Sequence, residues 1–404
     1  MSELSYLEKF LDGVEVEWLP LGEVSALRRG RVMSKGYLTE NFGPYPVYSS
    51  QTANNGKIGS INTFDFDGEY ISWTTDGANA GTVFYRTGKF SITNVCGLIT
   101  LKSKYSLIYK FLFYWLTIEA KKHVYSGMGN PKLMSHQVEN IPVPIPCPDN
   151  PEKSLAIQSE IVRILDTFSA LTAELTAELN MRKKQYNYYR DQLLSFNTED
   201  VPHLPMGQKD IGEFIRGGTF QKKDFIDAGV GCIHYGQIYT YYGTYTEKTK
   251  TYISTALAKK CKKAQKGDLI IATTSENDED VCKAVAWLGS EDIAVSSDAC
   301  IYKHNLNPKY VSYFFQTEQF QNQKRQYITG AKVRRVNADN LSKILIPVPS
   351  MEIQERIVSI LDKFDTLTNS ITEGLPREIE LRQKQYEYYR DLLFSFPKPE
   401  TASN

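Results

Sequence analysis

Gln185-Tyr186-Asn187-Tyr188-Tyr189-Arg190-Asp191 returns, about 200 residues later, as Gln385-Tyr386-Glu387-Tyr388-Tyr389-Arg390-Asp391, and Ser195-Phe196 returns as Ser395-Phe396. Upstream, Ile161-Val162 and Ile164-Leu165-Asp166 with Phe168 recur as Ile357-Val358 and Ile360-Leu361-Asp362 with Phe364. The stretches before each copy differ in most side chains yet begin and end alike. Leu19-Pro20-Leu21-Gly22 opens the first and Leu204-Pro205-Met206-Gly207 the second. Gly127-Met128-Gly129-Asn130-Pro131-Lys132 leads into Ile141-Pro142-Val143-Pro144-Ile145-Pro146, as Gly330-Ala331-Lys332-Val333-Arg334-Arg335 leads into Ile344-Leu345-Ile346-Pro347-Val348-Pro349. A period this long is a duplication and not a solenoid repeat. It divides the chain into five segments: 1–14 closing a circular repeat, a module over 15–146, a helical spacer over 147–200, a second module over 201–349 and a second spacer over 350–404.

The spacers read as long helices. Asp149-Asn150-Pro151-Glu152 is a helix start, with proline in the first turn and acids at the positive end of the dipole. Ile157, Ile161, Ile164, Phe168, Leu171, Leu175, Tyr186, Tyr189 and Leu193 then form a heptad seam about 40 residues long, on the order of 60 Å of helix. The second seam, through Ile353, Ile357, Ile360, Phe364, Leu367 and Ile371, meets Gly374-Leu375-Pro376, which predicts a kink or break before Arg377 resumes the helix. The predicted packing is two antiparallel, coiled-coil-like helices with pseudo-twofold symmetry, one module near each end. Within the first helix, Thr172-Ala173-Glu174-Leu175 is followed by Thr176-Ala177-Glu178-Leu179. One such tetrapeptide changes helix length by about 6 Å and rotates the residues beyond it by about 40°, so this tandem reads as a ruler.

The modules read as mixed α/β. Tyr45–Ser50, Tyr70–Thr75 and Leu269–Thr274 are β-rich runs, with turn signals at Asn55-Gly56, Asp67-Gly68 and Asp76-Gly77. Aromatic helical stretches come after them at Tyr109–Leu116 and Tyr310–Phe315. The fold class is therefore α+β, two such modules separated by long helices.

Bulk properties fit a chain of several globular domains: 404 residues, 23% charged and 41% hydrophobic. No apolar run approaches the ~20 residues of a membrane helix, and Met1–Ser5 lacks the start of a signal peptide. A cytoplasmic location and no membrane are expected. The six cysteines show no pair spacing and read as reduced core thiols, and the five histidines have no metal-ligand spacing, so no metal is expected.

Catalytic motifs are missing. Gly81–Lys89 has the wrong spacing for a phosphate loop, no GxGxxG follows a strand, and there is no Asn-Pro-Pro-Tyr or Asp-Pro-Pro-Tyr turn. Asp149–Lys153 carries the letters of a nuclease site, yet helix capping explains it better. No catalytic residue is expected.

Binding signals are stronger. The formal net charge is zero, but basic clusters stand at Arg28-Arg29-Gly30-Arg31, Lys121-Lys122-His123, Lys259–Lys263 and Lys332–Arg335. Tyr48-Ser49-Ser50-Gln51 matches His234-Tyr235-Gly236-Gln237 in place, and Trp73–Asn79 matches Ala272–Asn277. Gln and Asn can read adenine, Arg and Lys guanine, and Ser and Thr bases or phosphates. The candidates in the first module are Arg28, Arg29, Arg31, Ser49, Ser50, Gln51, Thr74, Thr75, Asn79 and Lys132. Those in the second are Arg216, Lys222, Lys223, His234, Tyr235, Gln237, Thr273, Thr274, Ser275, Asn277, Lys332, Arg334 and Arg335. Gly127, Gly129 and Gly330 would let backbone approach a phosphate. Tyr188, Arg190 and Asp191, with Tyr388, Arg390 and Asp391, are candidates for a partner subunit.

At these repeats the chain resembles a specificity subunit of a type I restriction-modification enzyme. Arg182–Phe196, Glu373–Phe396 and the TAEL tandem are similar to the IC subgroup of enteric bacteria. The resemblance implies a non-catalytic subunit that reads a bipartite, gapped double-stranded DNA sequence with two target recognition domains. It also implies two methyltransferase subunits and, through them, two restriction subunits, with S-adenosylmethionine, ATP and Mg on those partners. An alternative reading is a two-module protein scaffold that binds no DNA, and a remoter one is a DNA-modifying enzyme with an unrecognised site.

Overall fold

The computed structural model describes residues 13–397 apart from Met128, so the expectation for 1–14 falls almost wholly outside the described residues. The helices that join the modules or complete their attachment are α1 (Tyr109–Glu119), α2 (Pro151–Leu193), α3 (Pro308–Phe314), α4 (Met351–Asn369) and α5 (Leu375–Leu393). Helix α2 is unbroken for 43 residues, as its seam predicts. The second copy breaks earlier than the seam predicts: α4 ends at Asn369, so the seam residue Ile371 lies outside the helix, and α5 resumes at Leu375, after Gly374, with Pro376 in its first turn. The described residues form two compact units, one holding residues 13–173 and 381–397, the other Glu174–Glu380.

In the first unit, β1 (Val16–Pro20) pairs antiparallel with β8 (Pro142–Pro146). Prolines at every second position of β8 carry no N–H, so Val143 and Ile145 supply the strand's donors. The main sheet has the order β2-β7-β5-β6-β3-β4, from β2 (Ser25–Arg29), β3 (Phe42–Tyr48), β4 (Lys57–Ile61), β5 (Phe66–Thr74), β6 (Val83–Ile92) and β7 (Cys96–Leu101). Only β3 and β6 pair in parallel. The Asp67-Gly68 turn signal is overturned, because both residues lie inside β5. Gly68 faces Gly88 of β6 in register, between the flanking pairs Phe66–Phe90 and Tyr70–Arg86. The two opposed glycines have φ of +136° and +79°, a backbone that other residues rarely adopt, and the ladder runs through them.

Helix α2 fastens to this module at its first turns. Gln158 is buried; its Oε1 accepts the Ile108 N–H at 2.9 Å and its Nε2 donates to Ser106 O at 2.7 Å. Two turns on, Asp166 accepts from Tyr114 Oη at 2.6 Å and pairs with Lys110. The apolar stripe is wider than the heptad seam predicts. Leu165, which lies off the seam, is buried against the module beside Ile157 and Ile161, while Phe168 stacks on Tyr389 of α5 at 5.3 Å. The end of the chain completes this core: Phe394 lies on Phe111 and Trp115 at 5.1 and 5.7 Å, and Trp18 Nε1 donates to Pro397 O at 2.9 Å.

The second unit repeats the plan with β9 (His203–Pro205), β10 (Gly212–Arg216), β11 (Val230–Ile233), β12 (Tyr245–Thr246), β13 (Thr251–Ile253), β14 (Lys263–Ala264), β15 (Leu269–Ala272), β16 (Thr274–Ser275), β17 (Ala284–Trp287), β18 (Ile293–Val295), β19 (Ala299–His304), β20 (Arg334–Arg335) and β21 (Leu345–Pro347). One sheet has the order β10-β19-β15-β17-β12 and another β13-β11-β18-β14; β9 pairs with β21, and β16 with β20. The place of the ten-residue β6 is taken by two strands, β17 and β18, which divides the sheet. The parallel pair is kept, as Cys232↔Ala294 and Ile233↔Val295 against Val47↔Ser91 and Tyr48↔Ile92.

Its helix attachment matches at the amide oxygen and at the aspartate, while the amide nitrogen bonds locally, just ahead of α4. Gln354 accepts the Asn307 N–H and donates to Pro349 O, both at 2.9 Å, and Asp362 accepts from Tyr313 Oη and Lys309 Nζ, both at 2.7 Å. Tyr189 of α2 stacks on Phe364 at 5.7 Å. In each unit, then, the helix that leaves the module meets a segment of the other copy through an equivalent phenylalanine and tyrosine. All six cysteines are buried and unpaired. Burial pushes the Cys96 thiol up to about 11, which keeps it protonated and unreactive.

His304 is a buried titratable group with a stability consequence. Its Nδ1 accepts the Leu306 N–H at 3.2 Å, while Nε2 is buried without a hydrogen-bond partner. Burial lowers its pKa from 6.5 to about 4. The unfolded chain takes up this proton first, so stability is complete above pH 6.5 and falls as the pH drops toward 4. We predict a loss of up to about 3 kcal/mol over that window by urea unfolding, a component that His304→Phe removes. An unchanged pH dependence in the variant contradicts this.

Candidate nucleic-acid interface

Seven of the sequence-predicted residues come together at one edge of each module, where three strand ends meet: Arg29, Thr75 and Lys132 in the first, and Arg216, Thr273, Thr274 and Arg335 in the second. In the first module, Arg29 ends β2, Thr75 follows β5, and Asn94 lies between β6 and β7. The Thr75 N–H donates to Val95 O at 3.0 Å and the Leu133 N–H to Thr75 O at 2.9 Å, which ties the segment carrying Lys132 to the site. Arg29 Nη2 donates to Thr75 Oγ1 at 3.2 Å and Asn94 O at 2.8 Å. Asp76 lies between the two cations, 4.0 Å from Arg29 and 4.0 Å from Lys132, and accepts from Thr75 Oγ1 at 2.6 Å.

The second module rebuilds this cradle with other side chains. Thr273 N–H donates to Asp298 O at 2.9 Å and Val336 N–H to Thr273 O at 3.1 Å. Arg216 ends β10 and its Nε donates to Ser297 O at 3.2 Å, as Arg29 does to Asn94 O. Thr274 pairs with Arg335 in the β16–β20 ladder, as Asp76 bridges to Lys132. By these bonds Thr75 corresponds to Thr273, Asp76 to Thr274, Arg29 to Arg216 and Lys132 to Arg335. Arg216, Thr273, Thr274, Asp298, Arg335 and Asn337 line a concavity of about 270 Å³.

A glycine comes after the arginine in both cradles. A Cβ on Gly30 would lie 2.2 Å from Ile92 O, and one on Gly217 2.1 Å from Ser296 O, so both chains cross the neighbouring connection too closely for any side chain. Sequence reasoning missed Asp76, Asn94, Ser297 and Asp298. The signal available was this repeated Arg-Gly pair, Arg29-Gly30 and Arg216-Gly217, which marks the two cradles as equivalent. Gly330 has φ +90° and closes a tight turn between Thr329 and Arg335, with Lys332 exposed at its tip.

The remaining candidates divide into available and internally engaged groups. Arg28, Lys222 and Lys223 are exposed. Arg31 is held by Asp65 at 3.0 Å and lies over Tyr37. Ser49 Oγ meets Thr93 Oγ1 at 2.8 Å, and Asn79 Nδ2 donates to Ser50 O at 3.2 Å, which joins the β3–β4 loop to the cradle. Gln51 donates to Lys57 O at 2.6 Å inside that loop. The loop is pinned from beneath by Arg86, a buried guanidinium lowered by burial to about 10, which donates to Asn55 O at 2.8 Å and lies 3.6 Å from the Tyr48 ring centroid. Thr74 is buried and bonded to Asn79 O.

In the second module Arg334 pairs with Asp278 at 2.7 Å, and Asn277 donates to Asp280 at 2.7 Å. Ser275 is the ladder partner of Arg334. His234 and Gln237 are buried and cap the short helix Tyr235–Thr240: Gln237 Oε1 accepts the His234 N–H at 2.9 Å. Their expected match with the Tyr48–Gln51 segment is off by one residue. Ser296 N–H donates to Ile233 O as Thr93 N–H donates to Tyr48 O, so His234 corresponds to Ser49 and Tyr235 to Ser50.

On the spacers, Tyr188 and Tyr388 are 60% and 54% exposed, whereas Arg190 is buried, paired with Asp191 at 3.1 Å and placed over Tyr186. Arg390 repeats this with Asp391 at 2.8 Å and Tyr386. The tyrosines are exposed in both sets, and so is Asp391, whereas Asp191 is half-buried. Thr172–Leu179 lies wholly within α2.

Comparison with known proteins agrees with this duplicated plan. The model of the type I restriction modification DNA specificity domain matches the chain twice, over residues 13–182 and 205–381. The chain belongs to the type I restriction-modification specificity subunits. It is 41% identical to the EcoR124I/EcoR124II specificity subunit of Escherichia coli, over 100% of both chains. A putative type I specificity subunit of Haemophilus influenzae, S.HindORF215P, is 33% identical over 97% of this chain and 98% of its own. The S subunit of a type I restriction-modification system from M. genitalium shares the fold at a TM-score of 0.55 and 14% identity, covering 96% of this chain and 98% of that one. The modules are therefore DNA target recognition domains. Among the described residues no helix is long and apolar enough to cross a membrane.

Arg335→Ala is predicted to weaken duplex binding by the partner-loaded protein and to lower the slope of log affinity against log salt by about one. Gln237→Ala, an internally bonded position, leaves the slope unchanged. An unaltered slope in the Arg335 variant would place that arginine off the phosphates.

Proposed function

We propose that each cradle reads one half of a bipartite DNA target, that α2 sets the gap between the halves, and that the subunit itself performs no chemistry. The observation that carries this reading is the rebuilt cradle. Two cations and a threonine recur on the same backbone bonds, while the side chain between them changes from Asp76 to Thr274. Constant cations suit the phosphates common to every sequence, while the side chain between them, half-buried Asp76 in one module and buried Thr274 in the other, differs between the halves. Arg and Lys donate to guanine, a carboxylate accepts from an exocyclic amine, and Thr can serve either base or phosphate.

In this reading two methyltransferase subunits dock on the spacer helices beside Tyr188 and Tyr388, and two restriction subunits join through them. S-adenosylmethionine, ATP and Mg are held by those partners, the complex methylates adenine or cleaves DNA, and it works in the cytoplasm. The TAEL tandem and the repeated ends of the spacers support placement in the IC-like subgroup.

The test is to co-express the chain with a methyltransferase subunit of that subgroup and map adenine methylation by modification-sensitive sequencing. A bipartite motif with a fixed gap is expected. A third TAEL copy after Leu179 should lengthen the gap by about one or two base pairs, from about 6 Å of added helix. An assembled complex that yields no motif contradicts the reading.

A further inference from the structure

The two connections between modules are unequal in a way that assigns them different jobs. Landmarks before the tandem recur at an offset of 196, as Asp166 to Asp362 and Phe168 to Phe364. Landmarks after it recur at 200, as Tyr186 to Tyr386 and Tyr189 to Tyr389. The second copy therefore holds four more residues, and it reads as three degenerate tetrapeptides: Leu367-Thr368-Asn369-Ser370, Ile371-Thr372-Glu373-Gly374 and Leu375-Pro376-Arg377-Glu378. The first copy runs from Phe168 to Tyr189 as continuous helix. The second, from Phe364 to Tyr389, is interrupted by the five residues between α4 and α5.

The geometry of that interruption shows what becomes of the excess. In a continuous helix Thr366 and Gly374 would stand about 12 Å apart along the axis. Here a Cβ on Gly374 would lie 2.3 Å from Thr366 O and 2.9 Å from Leu367 O, and Gly374 has φ +82°. The chain doubles back on the last turns of α4 before α5 starts, so these residues add almost no length along the helix. The loop is held by its own bonds, Ser370 Oγ accepting the Thr372 and Glu373 N–H groups at 3.3 and 3.2 Å. Ile371 is 79% exposed, and the loop borders an open cavity of about 730 Å³ shared with Tyr241, Asp280 and Gln321. A larger loop has room there.

Both connections join the same two aromatic stacks, Phe168 with Tyr389 and Phe364 with Tyr189, and so must accommodate one common span. We infer that α2 alone is the gap-setting ruler, and that the loop Ser370–Gly374 is a length-absorbing element that lets the second connection follow it. This inference rests on the reading that helix length sets the gap. It further states that specificity for gap length is asymmetric, residing in 172–179 and not in the equivalent stretch of the second copy.

A helix and a loop respond differently to insertions. Adding two residues to a helix rotates the downstream residues by about 200°, and adding four rotates them by about 40°; a loop carries no such phase. The test uses the full chain co-expressed with its methyltransferase partner, reading the methylation gap by sequencing and complex assembly by size-exclusion chromatography. Gly-Ser and Gly-Ser-Gly-Ser are each inserted between Ile371 and Thr372, beside controls with Ala-Ala or a third TAEL after Leu179. The expected result is an unchanged gap and intact assembly for both loop insertions, loss of methylation for Ala-Ala in α2, and a shift of about one or two base pairs for the third TAEL. Loop insertions that shift the gap, abolish methylation or prevent folding overturn the inference, since a length-absorbing loop tolerates them. If the third TAEL leaves the gap unchanged, the ruler reading itself fails, whatever the loop variants do.

Discussion

Gln158 and Gln354 are buried where each spacer helix leaves its module, and every bond of both side-chain amides that crosses to the module runs to backbone. Such bonds contribute about 1 kcal/mol each when made and cost about 1–3 kcal/mol when one partner is left unsatisfied. Their value here is mainly directional. Gln158, held at both ends by Ile108 and Ser106, and Gln354, held by Asn307, fix how far along and at what rotation each helix sits on its module. Asp166 and Asp362 add a second point two turns later, through tyrosine and lysine. Two fixed points define a line, and a stiff helix conveys that line onward.

The cradles depend on the same attachment from the other side. Their strands are anchored in the cores that α1 and α3 complete, and those helices carry the tyrosines and lysines that grip Asp166 and Asp362. A chain with no net charge can present two cationic sites because screening limits electrostatic reach to about 10 Å at ordinary salt. A phosphate at Arg216 and Arg335 responds to those two groups far more than to acids on distant helices. Asp298 lines the second concavity with them, and in the first cradle Asp76, at 4.0 Å from both cations, leaves each of them only partly neutralised.

Periodicity made the long elements legible. The seam from Ile157 to Leu193 is a signal dozens of residues long, and Gly374 with Pro376 announced the break because neither suits a helix interior. Short-range signals fared less evenly. Asp67-Gly68 has turn chemistry but sits opposite Gly88, and only the partner strand reveals that the ladder continues. Gln51 and Gln237 look equivalent by letter, yet hydrogen bonding through Thr93 and Ser296 shifts the match by one. Arg190 reads as free on a helical wheel, but Asp191 and the Tyr186 ring enclose it. The cradle itself hid in a dipeptide, Arg-Gly, whose meaning lies in a close backbone crossing far away in sequence.

The two modules read independently, in this account, while α2 fixes their spacing. The most direct measurement exchanges residues 201–349 for the second module of the 41%-identical Escherichia coli relative and maps adenine methylation in the assembled complex. One half of the motif should change, with the other half and the gap retained. A motif that changes in both halves, or in neither, would contradict the account.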